Sequence, residues 1–405
     1  MGEFVAVLIS FASIPLLTRK KVSIGTAIWI CAFILTIISG LGIFTFFEVM
    51  LQTITDINRI KQYIIIIQIG ILGVLLKKYN FIDEIVDSLM KVVKNIRVIL
   101  MFIPLLIGLL VVPGGAIISA PFIDKIGEDY NIPKTNRGVI NLIYRHISMH
   151  IMPYSNGLLI VALLVPQISI YSVIRLNLIF VTIYCILGYF LYIRKVEKTK
   201  IESTEPVLPN FIRLLKYTSP IYIAVFLNLL FGLPFYIGLL ANFVAVYILN
   251  PSKEFLKDIV DGFNPKVLLS IVGVYLIQNT INRMDYLNSF LLQIFSNNDT
   301  IMIGIIVSSL FFGITTGLSY SSLGVILPIL TQLSISHNQL ILFTHFAFAW
   351  GFIGYFFSPL HLCQLFTCEY LGIKTSDLYK EYSRFIVYLF LTLIALYFVL
   401  TYLIG

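Results

Sequence analysis

Eight consecutive residues late in the chain, Thr315-Thr316-Gly317-Leu318-Ser319-Tyr320-Ser321-Ser322, gather five Ser and Thr hydroxyls around one glycine in apolar surroundings. An earlier stretch, Pro113-Gly114-Gly115-Ala116-Ile117-Ile118-Ser119, is its counterpart: placing Gly115 on Gly317 also places Ser119 on Ser321. Where a helix resumes after such a tip, its free N–H groups and the positive end of its dipole favour an anion. The carbonyls that end the arm before the tip suit a small cation such as sodium. The plainer alternative is that the glycines permit close helix packing and the hydroxyls bond back to their own helix.

Two further irregular stretches follow. Met152-Pro153-Tyr154-Ser155-Asn156-Gly157 combines a lost backbone donor with a turn-forming Asn-Gly pair. Ser358-Pro359-Leu360-His361 is the matching break later in the chain. Arg145, His146 and His150 sit on the crossing that contains the first break. A charge inside a membrane is usually paired or functional. Arg145 therefore has three readings: it balances a substrate carboxylate, pairs with Asp124, or reaches the inner surface. His146 and His150, four residues apart, share a helical face and are either proton-relay groups or satisfied structural histidines. His345 and His361 carry weaker signals. His361-Leu362-Cys363 with Cys368 hints at a metal, but the four cysteines show no paired ligand spacing, and the expectation is no metal and no disulfide framework.

The elements that must position these residues are membrane helices. The 405 residues are 59% hydrophobic and 12% charged, with mean hydropathy +0.95; soluble domains carry about a quarter charged residues. Apolar runs at 4–17, 22–43, 63–76, 139–165 and 170–193, then 212–230, 233–249, 265–281, 338–365 and 384–404, predict ten crossings. The first run lacks a small-residue cleavage site and is expected to remain as a helix. Amphipathic pieces at 82–89 and 284–291 precede the two tips and predict interfacial helices. The arm that begins at Ala116 meets Asp124-Lys125 long before the roughly 20 apolar residues of a span. Each tip therefore turns inside a re-entrant hairpin, at about 97–127 and 300–333.

The net charge of +8 is spread over short loops and marks topology rather than a nucleic-acid surface. With the N-terminus outside, all Lys and Arg except Arg59, Lys61, Arg175, Arg283 and the intramembrane Arg145 fall on the inner face. Five crossings per half is an odd number, so the expected fold is an all-α polytopic membrane protein of two inverted-topology repeats. The repeats are residues 1–194 and 212–405, joined by a cytoplasmic linker at 195–211, and each holds a re-entrant hairpin and a broken helix. Both termini are then extracytoplasmic.

Pro113-Gly114-Gly115-Ala116 with Ser119-Ala120-Pro121, Arg145-His146, and Ser358-Pro359-Leu360-His361-Leu362-Cys363 followed by Glu369-Tyr370-Leu371 together resemble the prokaryotic membrane family called domain of unknown function 401. The resemblance spans nearly the whole chain. It implies kinship with the ion transporter superfamily, which includes gluconate permeases, citrate carriers and divalent-anion/sodium symporters. In that superfamily an anion and coupling ions bind between two tips and two broken helices, in a homodimer that works as an elevator. By position the resemblance implicates Gly114, Gly115, Ser119, Ser155, Asn156, Thr316, Gly317, Ser319, Ser321, Ser358 and Pro359. The first tip departs from the Ser-Asn-Thr pattern of the divalent-anion carriers. The leading expectation is an ion-coupled carrier of a small organic anion in the cell membrane, with sodium or a proton as coupling ion, and not an enzyme. The rivals are a membrane-embedded hydrolase using Ser319 with His345 or His361 as base, and a passive anion channel.

Overall fold

The computed structural model describes residues 2–109, 116–197, 206–295 and 300–404. Its first ten helices are α1 Gly2–Arg19, α2 Ile24–Ile38, α3 Ile43–Thr55, α4 Ile57–Lys78, α5 Phe81–Val92, α6 Ile96–Gly108, α7 Ala116–Asp129, α8 Lys134–Ile151, α9 Asn156–Leu164 and α10 Ile170–Gly188, the last extended by a π turn to Ile193. Ten more follow: α11 Val207–Phe231, α12 Phe235–Leu249, α13 Phe255–Asp261, α14 Pro265–Ile281, α15 Asp285–Phe295, α16 Ile301–Thr316, α17 Ser321–Leu330, α18 His337–Phe357, α19 Leu362–Leu371 and α20 Thr375–Ile404. No strand occurs among the described residues.

Six helical stretches are long and apolar enough to cross a bilayer: Ile57–Lys78, Lys134–Leu164, Ile170–Ile193, Val207–Phe231, His337–Leu371 and Thr375–Ile404. Large apolar side chains stand fully outward, Phe44 at 88% exposure and Phe231 at 77%, an arrangement that lipid favours and water penalises. The chain is a polytopic helical membrane protein. The other four expected crossings are shorter apolar helices. The run at 22–43 is not one helix. Gly40 and Gly42 both take φ +84°, a conformation open to glycine at little cost, and they separate α2 from α3, an element that hydropathy alone did not resolve.

The amphipathic reading at 82–89 becomes α5, which buries Phe81, Ile82, Ile85, Val86 and Leu89 and turns Glu84 and Asp87 to Arg213, whose Nε and Nη1 donate at 2.6 and 3.1 Å. Its counterpart is α15. The order of elements in α1–α10 recurs in α11–α20, from a first helix through two shorter helices, a fourth, an amphipathic piece, two hairpin arms, a broken crossing and a final long helix. Packing crosses between the sets: α2 lies on α14 as α12 lies on α4, and α7 lies on α19 as α17 lies on α9. Polar contacts follow the same exchange. Arg59 on α4 donates to Asn279 Oδ1 on α14 at 2.7 Å and stacks over Tyr275, and Gln68 donates to the Tyr236 carbonyl of α12 at 3.1 Å.

Candidate functional site

The second hairpin is a helix–turn–helix. α16 ends at Thr316, Gly317 takes φ +64°, and α17 starts at Ser321. The ten residues of α17 reach only about 15 Å, half of a bilayer core. Hydroxyls fasten the turn. Thr316 donates to the Phe312 carbonyl at 2.7 Å, accepts from the Leu318 amide at 3.2 Å and bonds Ser321 at 2.7 Å. Ser321 also donates to the carbonyls of Phe312 and Leu318. Thr315 bonds back to Phe311, and buried Ser322 packs against Gly351. Four of the five expected binding hydroxyls thus build the turn or its packing. Only Ser319 reaches the cavity described below.

Both predicted breaks are present. α8 stops at Ile151 and α9 starts at Asn156, with Ser155 donating across the gap to the Met149 carbonyl at 2.9 Å. α18 stops at Phe357 and α19 starts at Leu362. Ser358 there donates to the Ile314 carbonyl of α16 at 2.6 Å and accepts from the Leu360 amide at 3.1 Å, tying the second break to the second hairpin. A Cβ at Gly317 would stand 2.7 Å from Leu360 Cβ and 2.8 Å from its carbonyl oxygen. Tip and break are therefore in contact through backbone. On α16, Gly313 makes an equally close approach to Gly351 and Tyr355 of α18.

These interrupted elements meet around one cavity of about 90 Å³. Its wall takes Gly108 from the end of α6, Arg145, His146, Ser148 and Met149 from α8, and Asn156 from the start of α9. It is completed by Gly317, Leu318, Ser319 and Tyr320 of the tip and by Tyr355, Leu362 and Cys363 of the second broken crossing. Of the expected site residues, Arg145, His146, Asn156, Gly317 and Ser319 converge here. Ser119 bonds the Ala116 carbonyl of its own helix at 3.5 Å; Ser155, Ser358 and Pro359 shape the breaks without lining the cavity. Pro113, Gly114 and Gly115 lie outside the described residues.

Asp124, one of the partners considered for Arg145, accepts from Arg137 at 2.7 Å. Arg137 lies two helical turns before Arg145 on α8, level with the charged end of α7. Arg145 is 4% exposed and forms part of the cavity wall, which also excludes its reaching the surface. His146 and His150 part company despite their shared helical face. His146 touches Tyr355 and His361, whereas the ring of His150 is packed among Phe180, Phe348 and Phe352 and makes no cavity contact. His345 is held by Asn177 at 2.8 Å. A second, wholly different cleft, lined by Phe4, Leu8, Phe290, Val307 and Phe311, is apolar and faces outward; it offers no chemistry beyond lipid contact.

Tyr355 and Gly108 were missed as cavity residues. No local signal marks them: Tyr355 sits among aromatics in the last turn of α18, and Gly108 matters because a Cβ there would lie 2.2 Å from the Arg145 carbonyl.

The fold and site define a helical membrane protein with a buried, partly polar cavity where two helix breaks meet a hairpin tip. Residues 4–404 match the family described as "Protein of unknown function (DUF401)", and the chain belongs to that family. No curated protein matches it.

Proposed function

We propose that the protein is an ion-coupled secondary transporter of a small organic anion, carboxylate-like, related to the ion transporter superfamily. The observation that carries this reading is the convergence of a hairpin tip, two helix breaks and Arg145 on a single buried cavity. Non-helical backbone at membrane depth is tolerated where it lines such a cavity, and transporters of this kind place substrate where broken helices meet. A buried guanidinium at that wall matches a carboxylate in charge and in fork geometry. The α17 N-terminus adds a positive dipole end nearby. The coupling ion is sodium or a proton.

The recurrence of α1–α10 in α11–α20 and the exchanged packing of α2 with α14 and α12 with α4 support two repeats of inverted topology. The cation asymmetry supports a cell-membrane orientation with both termini outside. By resemblance to the superfamily we extend the proposal to a homodimer working as an elevator.

A hydrolase reading fares less well. Ser319 Oγ lies 4.0 Å from Met149 Sδ, while His345 and His361 are held by Asn177 and by His146. Uptake by proteoliposomes decides the matter. Substrate-dependent accumulation of a labelled carboxylate, abolished by a sodium or proton ionophore, is expected. Equilibration without accumulation, unaffected by ionophores, would mean a channel, and covalent labelling of Ser319 by a serine probe would mean a hydrolase.

A further inference from the structure

His146 and, some two hundred residues later, His361 and Cys363 meet at the cavity wall, one ligand atom of each within 4.8 Å of the others and all three buried. The outer nitrogen of each ring faces a backbone carbonyl. His146 Nδ1 lies 2.6 Å from the Leu142 carbonyl and His361 Nδ1 lies 3.3 Å from the Phe356 carbonyl. A carbonyl accepts and never donates, so the close contact puts the His146 proton on Nδ1 and leaves its Nε2 a lone pair. The two Nε2 atoms nevertheless stand 3.1 Å apart. With the His361 proton also on Nδ1, toward the Phe356 carbonyl, both Nε2 lone pairs converge on one point, the arrangement that a bound cation selects.

We propose that His146, His361 and Cys363 form a binding site for a zinc-class divalent cation, with one coordination position turned to the cavity. The geometry fits such an ion. Metal–nitrogen bonds of about 2.0–2.1 Å at a tetrahedral angle separate two nitrogens by roughly 3.3 Å, and a thiolate at about 2.3 Å stands roughly 3.6 Å from each. The donor set fits as well: imidazole and thiolate select zinc, cobalt or copper over sodium, magnesium or calcium. Backbone carbonyls behind ligating imidazoles are the usual outer shell that fixes the tautomer. Tyr355 adds a hydroxyl 3.2 Å from His146 Nε2 and 3.9 Å from Cys363 Sγ, positioned to support either ligand.

Three protein ligands leave the fourth place to a small molecule, the pattern of a reactive rather than a closed structural site. His146 and Cys363 line the cavity, and His361 stands behind them. The natural fourth ligand is an oxygen of whatever anion occupies the cavity. Charge is balanced by the thiolate, which offsets part of the metal's charge beside Arg145. The site also joins α8 to the α18–α19 break, so the ion would staple the two halves at their centre.

The metal site does not depend on the transport reading, and its test uses the metal alone. Purified full-length protein, stripped with a chelator, is titrated with Co²⁺ and then with Zn²⁺. One equivalent of cobalt per chain, with thiolate-to-cobalt charge-transfer absorption and tetrahedral d–d bands displaced by zinc, is expected. Cys363→Ser should remove the charge-transfer band, and His361→Gln should weaken binding about a hundredfold or more, beyond the 10–100-fold cost of losing an outer-shell partner. Cys185→Ser, a cysteine outside the cluster, should change nothing. If a cluster variant fails to fold, protection of Cys363 from a thiol reagent by Zn²⁺ but not Mg²⁺ in the wild-type protein replaces it. Absence of cobalt bands in folded wild type, or a band that survives Cys363→Ser, would overturn the site; a direct hydrogen bond from His361 Nε2 to His146 Nε2 would then account for their contact.

Discussion

Gly317→Ala is the sharpest test of the hairpin tip. The residue has φ +64°, where a Cβ costs about 1–2 kcal/mol. The added carbon would also stand 2.7 Å from Leu360 Cβ and 2.8 Å from its carbonyl oxygen, and overpacking of this kind costs about 1–3 kcal/mol. Together roughly 2–5 kcal/mol falls on the contact between tip and break, a change of tens- to thousands-fold in the population of that arrangement. Membrane insertion depends on hydropathy, which the change leaves intact. Uptake per inserted molecule should therefore fall by at least about tenfold with the yield of membrane-integrated protein unchanged. Gly324→Ala is the control: its Cβ would meet only the Gln278 side chain, at 3.7 Å, and alanine favours a helix interior by about 1 kcal/mol. Wild-type uptake by Gly317→Ala, or equal losses in both variants, would refute the reasoning.

Arg145→Gln removes a charge-assisted bond to an anion worth about 1.5–3 kcal/mol, so the KM for uptake should rise roughly 10- to 150-fold, with partial recovery in Arg145→Lys. Thr316→Val deprives the Leu318 amide and Ser321 of their partner and should lower the melting temperature in detergent, whereas Thr315→Val, which loses only a bond to its own helix, should change it little. Asp258 accepts from Lys78 and Tyr79, each at 2.6 Å. The Lys78 hydrogen bond, then that of Tyr79, holds its carboxyl below its ordinary value of 3.8. Its folded pKa is depressed, so its stabilisation is present above the ordinary value and is lost as pH falls below it. Asp258→Asn should flatten the acid limb of melting temperature against pH, and an unchanged limb would remove Asp258 from the account.

The helical class, the helices flanking both tips, both broken crossings and the amphipathic α5 and α15 were legible because each has a local cause: hydropathy, a run of amphipathic spacing, or a proline and glycine that end a helix. The α2–α3 division was hidden because both pieces are apolar and only the positive φ of Gly40 and Gly42 separates them. Site chemistry was less legible. Thr316, Ser321 and Ser358 look like ligands in sequence, yet backbone amides and carbonyls exposed by the turn claim them first, since an unpaired buried peptide group costs about as much as any bond a solute offers in return. The partnership of His146 with His361 and Cys363 comes from packing between the halves of the chain, which spacing along the chain does not encode.

The exchanged packing of α2 with α14 and α4 with α12 has a consequence for biosynthesis. At about 5–20 residues per second, α4 leaves the ribosome on the order of ten seconds or more before α12 exists. Through that interval Gln68 lacks the Tyr236 carbonyl and Arg59 lacks Asn279, polar groups that hydrocarbon does not tolerate unpaired. The nascent α1–α10 must wait in the shelter of the insertion machinery, and a stop codon placed between α10 and α11 should yield a fragment that is degraded unless α11–α20 are co-expressed.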